Sequence, residues 1–350
     1  MPTSANCPFY AGSTIQDPRL FVGREEALKT LCNSLLGVQF HSINVVGMHR
    51  TGKSSLLLQF VNTYQERIPQ PEQFVVVYIS LQDAACHNQA RFFHRLVNAL
   101  DANLAAPSSN LRQSLAQADW DQEQFNQLMQ LFKQEKLLPV LCLDNFEELL
   151  ERKTQFPNGF YDNLRYLVSE NFLMLVMASC ELLDVYSKRK LITSDFFNVF
   201  QTISLNGGLT SKEAEKLVKS TNFQGEGLTE ELQSKALKWG KREPYLLQLA
   251  GQILWRMQTE QKQLSWAEQK FKQQQKRFNF RPKSPFLAWL YDAIKQLGEW
   301  VFWFNKNRED MQNFITGLLL LSVILAIVLL FAYGYIDWGE VKSLFEKNTK

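Results

Sequence analysis

Residues 47–54 read Gly-Met-His-Arg-Thr-Gly-Lys-Ser, which fits the pattern G-x-x-x-x-G-K-S. A short apolar run, 43–46, leads into this stretch, and a pattern typical of an amphipathic helix, 55–64, follows it. A glycine-rich turn between a strand and a helix directs main-chain N–H groups and the positive end of the helix toward one point. The stretch therefore predicts a phosphate-binding loop. The alternative is a glycine-rich turn with a solvated lysine.

The residue types in this loop have separate predicted tasks. The two glycines let the backbone turn tightly around the phosphates. Lys53 is expected to reach the β- and γ-phosphates of a nucleotide, and the Ser54 hydroxyl is expected to ligate Mg²⁺. The loop residues that we predict to bind the nucleotide are Gly47, Thr51, Gly52, Lys53, Ser54 and Ser55.

A second apolar run, 137–143, ends in the acidic stretch Asp144-Asn145-Phe146-Glu147-Glu148. An apolar strand that ends in an acid, downstream of a phosphate-binding loop, is the Walker B arrangement. Asp144 is therefore expected to hold the Mg²⁺ at the carboxyl end of its strand. The alternative is a strand-terminal aspartate that caps the next helix.

Further apolar runs at 74–79, 172–178 and 199–205 alternate with helical patterns. This alternation predicts an α/β fold, a P-loop NTPase parallel sheet with helices on both faces. From residue 207 the alternation stops, and the capping box Thr210-Ser211-Lys212-Glu213 opens the first of three helical segments. These segments predict a small all-helical lid. The small and polar stretch 105–118 predicts a mobile loop.

The region near the C-terminus has the composition of a membrane span. Residues 311–336 contain no charge, and the apolar stretch 314–336 is long enough as a helix to cross a bilayer core. Aromatic residues close it, as is typical of the membrane interface. We predict a single C-terminal transmembrane helix; the alternative is a buried core helix. The first twenty residues lack the apolar region of a signal peptide.

The segment before this span is basic and then aromatic. Residues 261–283 are rich in Gln, Lys and Arg, and 286–304 are rich in Trp and Phe. This order favours a segment that lies on membrane lipid. The alternatives are a helix packed on the lid and a nucleic-acid-binding patch. Nucleic acid is not an expected partner, because the net charge is only +3.

These patterns divide the chain into consecutive parts. They are an extended N-terminal arm (1–20), a P-loop ATPase core (21–205), a helical lid (206–260), a basic and amphipathic juxtamembrane segment (261–310), a transmembrane helix (314–336) and a short tail (337–350). Lysine and arginine counts on the two sides of the span balance, so they do not decide orientation. Because ATP is cytosolic, we expect the ATPase domain to be cytoplasmic.

Several motifs resemble, in identity and order, those of STAND-type ATPases, the AAA+-related P-loop proteins that include bacterial AAA-like domains. They are Phe-Val-Gly-Arg-Glu (21–25), the phosphate-binding loop, Leu-Asp-Asn-Phe-Glu (143–147), Leu-Thr-Ser-Lys-Glu-Ala (209–214) and Arg-Glu-Pro-Tyr-Leu-Leu-Gln-Leu-Ala (242–250). The resemblance covers residues 8–258 and implies an ATP-binding core with a lid. It also implies that Phe21, Val22 and Gly23 line the adenine side, and that Pro244 reports the nucleotide state.

The sequence departs from the family pattern at two positions. The family usually has an acid after the Walker B aspartate, where this chain has Asn145, which can orient a water but cannot accept its proton. Glu147 or Glu148 is the candidate to replace that acid. The family often has Arg near the end of the fourth strand, where Ser179 is the candidate polar sensor. We therefore expect binding of ATP or ADP with Mg²⁺ and slow hydrolysis.

Three functions fit these expectations. The first is a membrane-anchored, nucleotide-dependent switch of signalling or defence type, located at the bacterial inner membrane, that self-associates or recruits a protein partner. The second is an active AAA+ motor that remodels a protein substrate, which the asparagine after the Walker B aspartate disfavours. The third is a nucleotide-binding scaffold that does not hydrolyse ATP.

Overall fold

Five parallel strands form the centre of the structure, a computed structural model that describes residues 7–37, 40–189, 192–222 and 224–278. They are β1 (Ile43–Val46), β2 (Phe74–Ser80), β3 (Leu138–Asp144), β4 (Met174–Ser179) and β5 (Gln201–Ser204). They pair in the order β2-β3-β4-β1-β5. The predicted parallel sheet is confirmed. Because every strand runs in the same direction, all their carboxyl ends lie along one edge of the sheet.

Helices cover both faces of this sheet. Those of the core are α1 (Glu25–Asn33), α2 (Lys53–Thr63), α3 (Gln89–Ala102), α4 (Ser109–Leu115), α5 (Gln122–Gln134), α6 (Glu147–Leu150), α7 (Asn158–Ser169) and α8 (Leu183–Arg189). Side chains alternate along β3, so Val140 and Cys142 pack with α1 and α2, whereas Leu141 and Leu143 pack with α3, α5 and α7. The continuous apolar run of β3 thus serves two separate cores.

The stretch 105–118 is not the loop that its composition predicts, because it contains α4. The Ser108 hydroxyl accepts a hydrogen bond from the main-chain N–H of Leu111 at 3.1 Å and so caps the helix. Leu111 and Leu115, four residues apart, are both buried. The polar residues around this short apolar pair obscured the helix in the sequence.

The lid consists of α9 (Ser211–Val218), α10 (Glu230–Gly240) and α11 (Pro244–Thr259), and α12 (Leu264–Phe278) follows it. The capping box expected at the start of α9 is present, with reciprocal bonds between Thr210 and Glu213. On α12, Phe271 is buried and its ring stacks on that of Trp239 from α10, with centroids 5.0 Å apart. This part of the basic segment therefore packs on the lid, one of the alternatives that the sequence leaves open.

Within the described ranges, no helix is both long and apolar enough to cross a membrane. The predicted span, 314–336, lies outside those ranges, as do the aromatic stretch 286–304 and the tail 337–350.

Candidate nucleotide-binding site

The carboxyl edge of the sheet brings together most of the predicted site. A cavity of about 240 Å³ lies there, bounded by the phosphate-binding loop, the N-terminal arm and the lid. The predicted residues that line it are Phe21, Val22, Thr51, Gly52, Lys53, Ser54, Ser55, Asn145 and Pro244. The predicted residues that do not line it are Gly23, Gly47, Asp144, Glu147 and Ser179.

The two glycines of the loop are required by its geometry. Gly52 has φ of +95° at the N-cap of α2, a backbone conformation that other residues adopt only with strain. At Gly47 the constraint is space, because a Cβ would lie 2.6 Å from Thr51 Oγ1. Helix α2 then begins at Lys53, so the unpaired N–H groups of its first turn and the helix dipole favour an anion beside the loop.

Lys53 is buried and folds back over its own loop. Its Nζ donates hydrogen bonds to the main-chain oxygens of Gly47 at 2.6 Å and Met48 at 3.2 Å. The same atom lies 3.8 Å from Cys180 Sγ, just beyond the end of β4. The ammonium is thus held at the base of the loop, where it can interact with phosphate oxygens.

Asp144 is buried at the end of β3, and both of its oxygens accept hydrogen bonds. Oδ2 accepts from the hydroxyl of Tyr78 on β2 at 2.9 Å, and Oδ1 accepts from the main-chain N–H of Asn145 at 3.0 Å. Burial, and then the neighbouring carboxylate, raise the pKa of Tyr78 above its ordinary value, so the hydroxyl remains a donor at neutral pH. Tyr78, which the sequence did not indicate, therefore fixes the orientation of the predicted metal ligand.

The residues after Asp144 occupy three different environments. Asn145 lines the cavity with φ of +59°, a left-handed conformation that asparagine tolerates better than most residues. Glu148 forms an ion pair with Arg152 at 2.8 Å. Glu147 carries a buried Oε2 that has no hydrogen-bond partner among the described residues. Of the two candidate acids, Glu147 is the one whose carboxylate has an oxygen without a partner in the described residues, although that oxygen is buried and does not line the cavity.

Ser179 lies beneath the site rather than in its wall. Its side chain is fully buried, and its Oγ lies 3.0 Å from Asn44 Oδ1 and 2.6 Å from the main-chain oxygen of Glu181, both of them acceptors. The next residue, Cys180, contacts both Lys53 and the ring of His49. At this strand end, a thiol rather than the predicted hydroxyl lies beside the loop lysine.

Arg24 is a cavity residue that the sequence-based prediction omitted, although it lies within the Phe-Val-Gly-Arg-Glu motif. Its guanidinium donates to the main-chain oxygens of Gly208 at 2.7 Å, Leu205 at 3.1 Å and Thr51 at 3.3 Å. One side chain therefore joins the phosphate-binding loop, the residue after β5 and the start of the lid. Burial lowers the pKa of Arg24 from its ordinary value, but arginine remains charged in proteins.

Glu213 of α9 makes a second connection between core and lid. Its Oε1 accepts from the main-chain N–H of Arg24 at 2.5 Å, and its Oε2 accepts from that of Thr210 at 2.8 Å. Burial acts to raise the pKa of Glu213, but hydrogen bonds from Thr210, Arg24 and Glu25 outweigh it and lower the pKa. The ionised carboxylate is therefore the form that holds the lid against the core.

The lid also contacts the loop directly. The guanidinium of Arg50 lies over the ring of Tyr245, at the start of α11, with 4.4 Å between its carbon and the ring centroid. Tyr10 and residues 12–15 of the N-terminal arm line the same cavity. No sequence pattern pointed to the residues of the arm as part of the site, because the arm has neither helical nor strand periodicity.

The fold and the site define a class of protein. A phosphate-binding loop after an interior strand of a parallel sheet, with an acid at the end of the strand two places away and a helical lid over the same edge, is a P-loop NTPase arrangement. The family model described as Novel STAND NTPase 1 matches residues 12–275. The chain belongs to this family of nucleotide-binding NTPases.

Solved structures share the fold at low sequence identity. A Walker-type ATPase of Pyrococcus abyssi aligns with a TM-score of 0.58 and 13% identity, over 83% of this chain and 80% of that one. The ORC1 protein of Aeropyrum pernix, solved in complex with DNA, aligns with a TM-score of 0.47 and 12% identity, over 69% and 62% of the two chains. At this identity the first likeness shows a shared fold and nothing about function, and the second is too distant to show more. A comparison with curated proteins found no match.

Proposed function

We propose that this protein is a membrane-anchored, ATP-dependent switch that hydrolyses ATP slowly. The observation that carries the proposal is the position of Arg24, which bonds to Thr51 of the phosphate-binding loop and to Gly208 of the lid with one guanidinium. A ligand that shifts the loop alters the geometry of those bonds. Nucleotide binding would thereby change the position of the lid.

The residues at the sheet edge fit ATP and Mg²⁺. Lys53 supplies a cation and the start of α2 supplies main-chain N–H groups for the phosphates. The Ser54 hydroxyl and the Asp144 carboxylate are oxygen ligands of the kind that Mg²⁺ prefers. When bound, the metal would neutralise phosphate charge, and Tyr78 would hold Asp144 in place for it.

Slow hydrolysis rests on the absence of an acid directly after Asp144. Asn145 lines the cavity and can orient a water, but it cannot take the proton. The second candidate, an active AAA+ motor, would need a base, and the unpartnered Oε2 of Glu147 is the candidate for that role. If Glu147 does not act as a base, the third candidate, a non-hydrolysing scaffold, remains.

The membrane anchor and the partners belong to the same proposal. The uncharged stretch 314–336 supports a single C-terminal transmembrane helix, and the need for ATP supports a cytoplasmic ATPase domain, at the inner membrane of a bacterium. Membrane lipid and a second copy or another protein are the proposed partners. A signalling or defence role is what the family resemblance suggests.

The test compares ATP turnover and oligomer size in the full-length protein in detergent. Wild type is measured beside Lys53→Ala, which removes the loop cation, and Asn145→Glu, which restores an acid. We expect wild type to bind ATP but to release phosphate at a rate close to that of Lys53→Ala, and Asn145→Glu to be faster by at least about tenfold. ATP and ADP forms should differ in mass or in protease sensitivity of the lid.

Each contrary result removes a different part of the proposal. Brisk wild-type turnover would favour the motor and would require another base. Equal mass and equal protease sensitivity with ATP and ADP would leave only the scaffold. A carbonate-washed membrane fraction that releases the protein would contradict the anchor.

A further inference from the structure

The first part of the N-terminal arm is held by the lid. Phe9 is 1% exposed, and its ring lies against Gly251 of α11. The main-chain N–H of the next residue, Tyr10, donates to Oε1 of Gln248, one turn earlier in α11, at 2.8 Å. An aromatic contact and a main-chain hydrogen bond therefore fasten the arm to one lid helix.

The second part of the arm is held by the helix of the phosphate-binding loop. The main-chain N–H of Ile15 donates to Oγ of Ser55 in α2 at 3.0 Å, and the main-chain oxygen of Gln16 accepts from Asn62 of α2 at 3.1 Å. Between the two attachments, residues 12–14 line the cavity. The arm thus runs from the lid to the loop helix and forms a wall of the cavity.

We propose that residues 9–15 form a strap that retains a nucleotide in the cavity, and that the strap must leave its seat on α11 before the nucleotide is released. The proposal rests on the nucleotide binding proposed above. A ligand that contacts the strap stabilises its seated form, and by reciprocity the seated strap stabilises the bound ligand. The strap also joins α11 to α2, so its release removes one of the connections between the lid and the loop helix.

The seat on α11 depends on a glycine. A Cβ built at Gly251 would lie 2.3 Å from Cδ1 of the Phe9 ring, so Gly251→Ala expels the ring. Alanine is the better helix former, so this change does not weaken α11 itself. Gly159 of α7 provides a matched control, since a Cβ there would meet no atom within 4 Å.

The experiment measures nucleotide release from the full-length protein in detergent. The protein is loaded with N-methylanthraniloyl-ADP and mixed rapidly with excess unlabelled ATP, and the loss of fluorescence is followed. Gly251→Ala and Phe9→Ala should each release the analogue about tenfold faster than wild type, because most changes in affinity appear in the dissociation rate. Gly159→Ala should release it at the wild-type rate, and the Phe9→Ala/Gly251→Ala double variant should be no faster than either single one.

Phe9→Ala keeps the test decisive if Gly251→Ala does not fold, because it removes the ring without creating a clash. Wild-type release rates in Phe9→Ala would overturn the strap while leaving nucleotide binding intact. Additive effects in the double variant would also overturn it, because the two residues would then not share one seat. If wild type does not bind the analogue at all, the proposed nucleotide function fails, and the strap with it.

Discussion

The guanidinium of Arg24 donates a hydrogen bond of 2.7 Å to the main-chain oxygen of Gly208, at the start of the lid. Replacement by Gln leaves this oxygen and that of Leu205 without their donor. Unsatisfied groups of this kind cost about 1–3 kcal/mol. We therefore expect Arg24→Gln to lower the melting temperature by several degrees, and to reduce the further increase that ATP produces.

Arg19→Gln is the control for this change in a thermal unfolding series. Arg19 is exposed and pairs with Asp17 two residues away, so its replacement should leave the melting temperature almost unchanged. Equal shifts for the two variants would show that Arg24 does not join the core to the lid.

The stability of the protein is expected to depend on pH through Glu213. The pKa of this carboxyl is lowered in the folded protein, so the folded state favours the ionised form. The resulting stability is present above the ordinary pKa of 4.5 and is lost as the pH falls through the lowered value. Because Glu213 is only partly buried, we expect Glu213→Gln to cost about 1 kcal/mol at pH 7.

The difference between wild type and Glu213→Gln should shrink as the pH falls below 4.5 and through the lowered pKa, where the carboxyl of the wild type also becomes neutral. Urea unfolding at pH 7, 5, 4 and 3 measures it. Glu215→Gln, an exposed position on the same helix, is the control. A difference that stayed constant over this range would mean that charge on Glu213 does not hold the lid.

Replacement of Tyr161 by Phe is expected to stabilise the protein. Its side chain is fully buried, and its hydroxyl has no hydrogen-bond partner among the described residues. Burial also raises the pKa of Tyr161. Tyr161→Phe removes an unsatisfied polar atom, so the free energy of unfolding should rise by about 1 kcal/mol. Tyr64→Phe should lower it instead, because the Tyr64 hydroxyl donates to the main-chain oxygen of Phe74. Urea unfolding of both variants decides the sign.

The sheet and the phosphate-binding loop could be predicted from the sequence because local patterns specify them. Continuous apolar runs mark strands that are buried on both faces, and glycines at 47 and 52 are required by the backbone of one short loop. The role of the arm could not be predicted in this way. Phe9 is buried only because Gly251, far away in the chain, leaves room for its ring.

Ser179 is a second case, within the candidate site, in which contacts between distant parts of the chain could not be predicted from the sequence. A serine at the end of a strand is a reasonable sensor when only the sequence is considered. The pairing of β4 with β1 brings Asn44 beside it, however, and the single hydroxyl hydrogen of Ser179 has two acceptors within reach, the Asn44 amide oxygen and the main-chain oxygen of Glu181. Which of two adjacent side chains faces Lys53 depends on strand register, and the structure has Cys180 in that position.

Tyr78 is expected to control magnesium affinity through Asp144. Tyr78→Phe removes the donor that fixes the orientation of the carboxylate, and the loss of such supporting bonds typically lowers metal affinity by about 10–100-fold. The measurement is the Mg²⁺ dependence of ATP binding. Tyr64→Phe loses a tyrosine hydroxyl elsewhere in the core and should leave the Mg²⁺ dependence unchanged. Identical Mg²⁺ titrations for Tyr78→Phe and wild type would count against Asp144 as the metal ligand.

Glu147 and Glu148 are adjacent acids, and only the substitution of Glu147 is expected to lower hydrolysis. Glu147 has a buried oxygen without a partner, whereas Glu148 is paired with Arg152. A general base contributes about 10²–10⁴-fold to a rate, so Glu147→Gln should lower whatever turnover wild type shows above the Lys53→Ala background to that background. Glu148→Gln should retain most of the turnover, because it removes only a partly exposed ion pair. Both are compared by phosphate release at saturating ATP, with ATP binding measured in parallel. A larger loss in Glu148→Gln than in Glu147→Gln would transfer the role of base to Glu148.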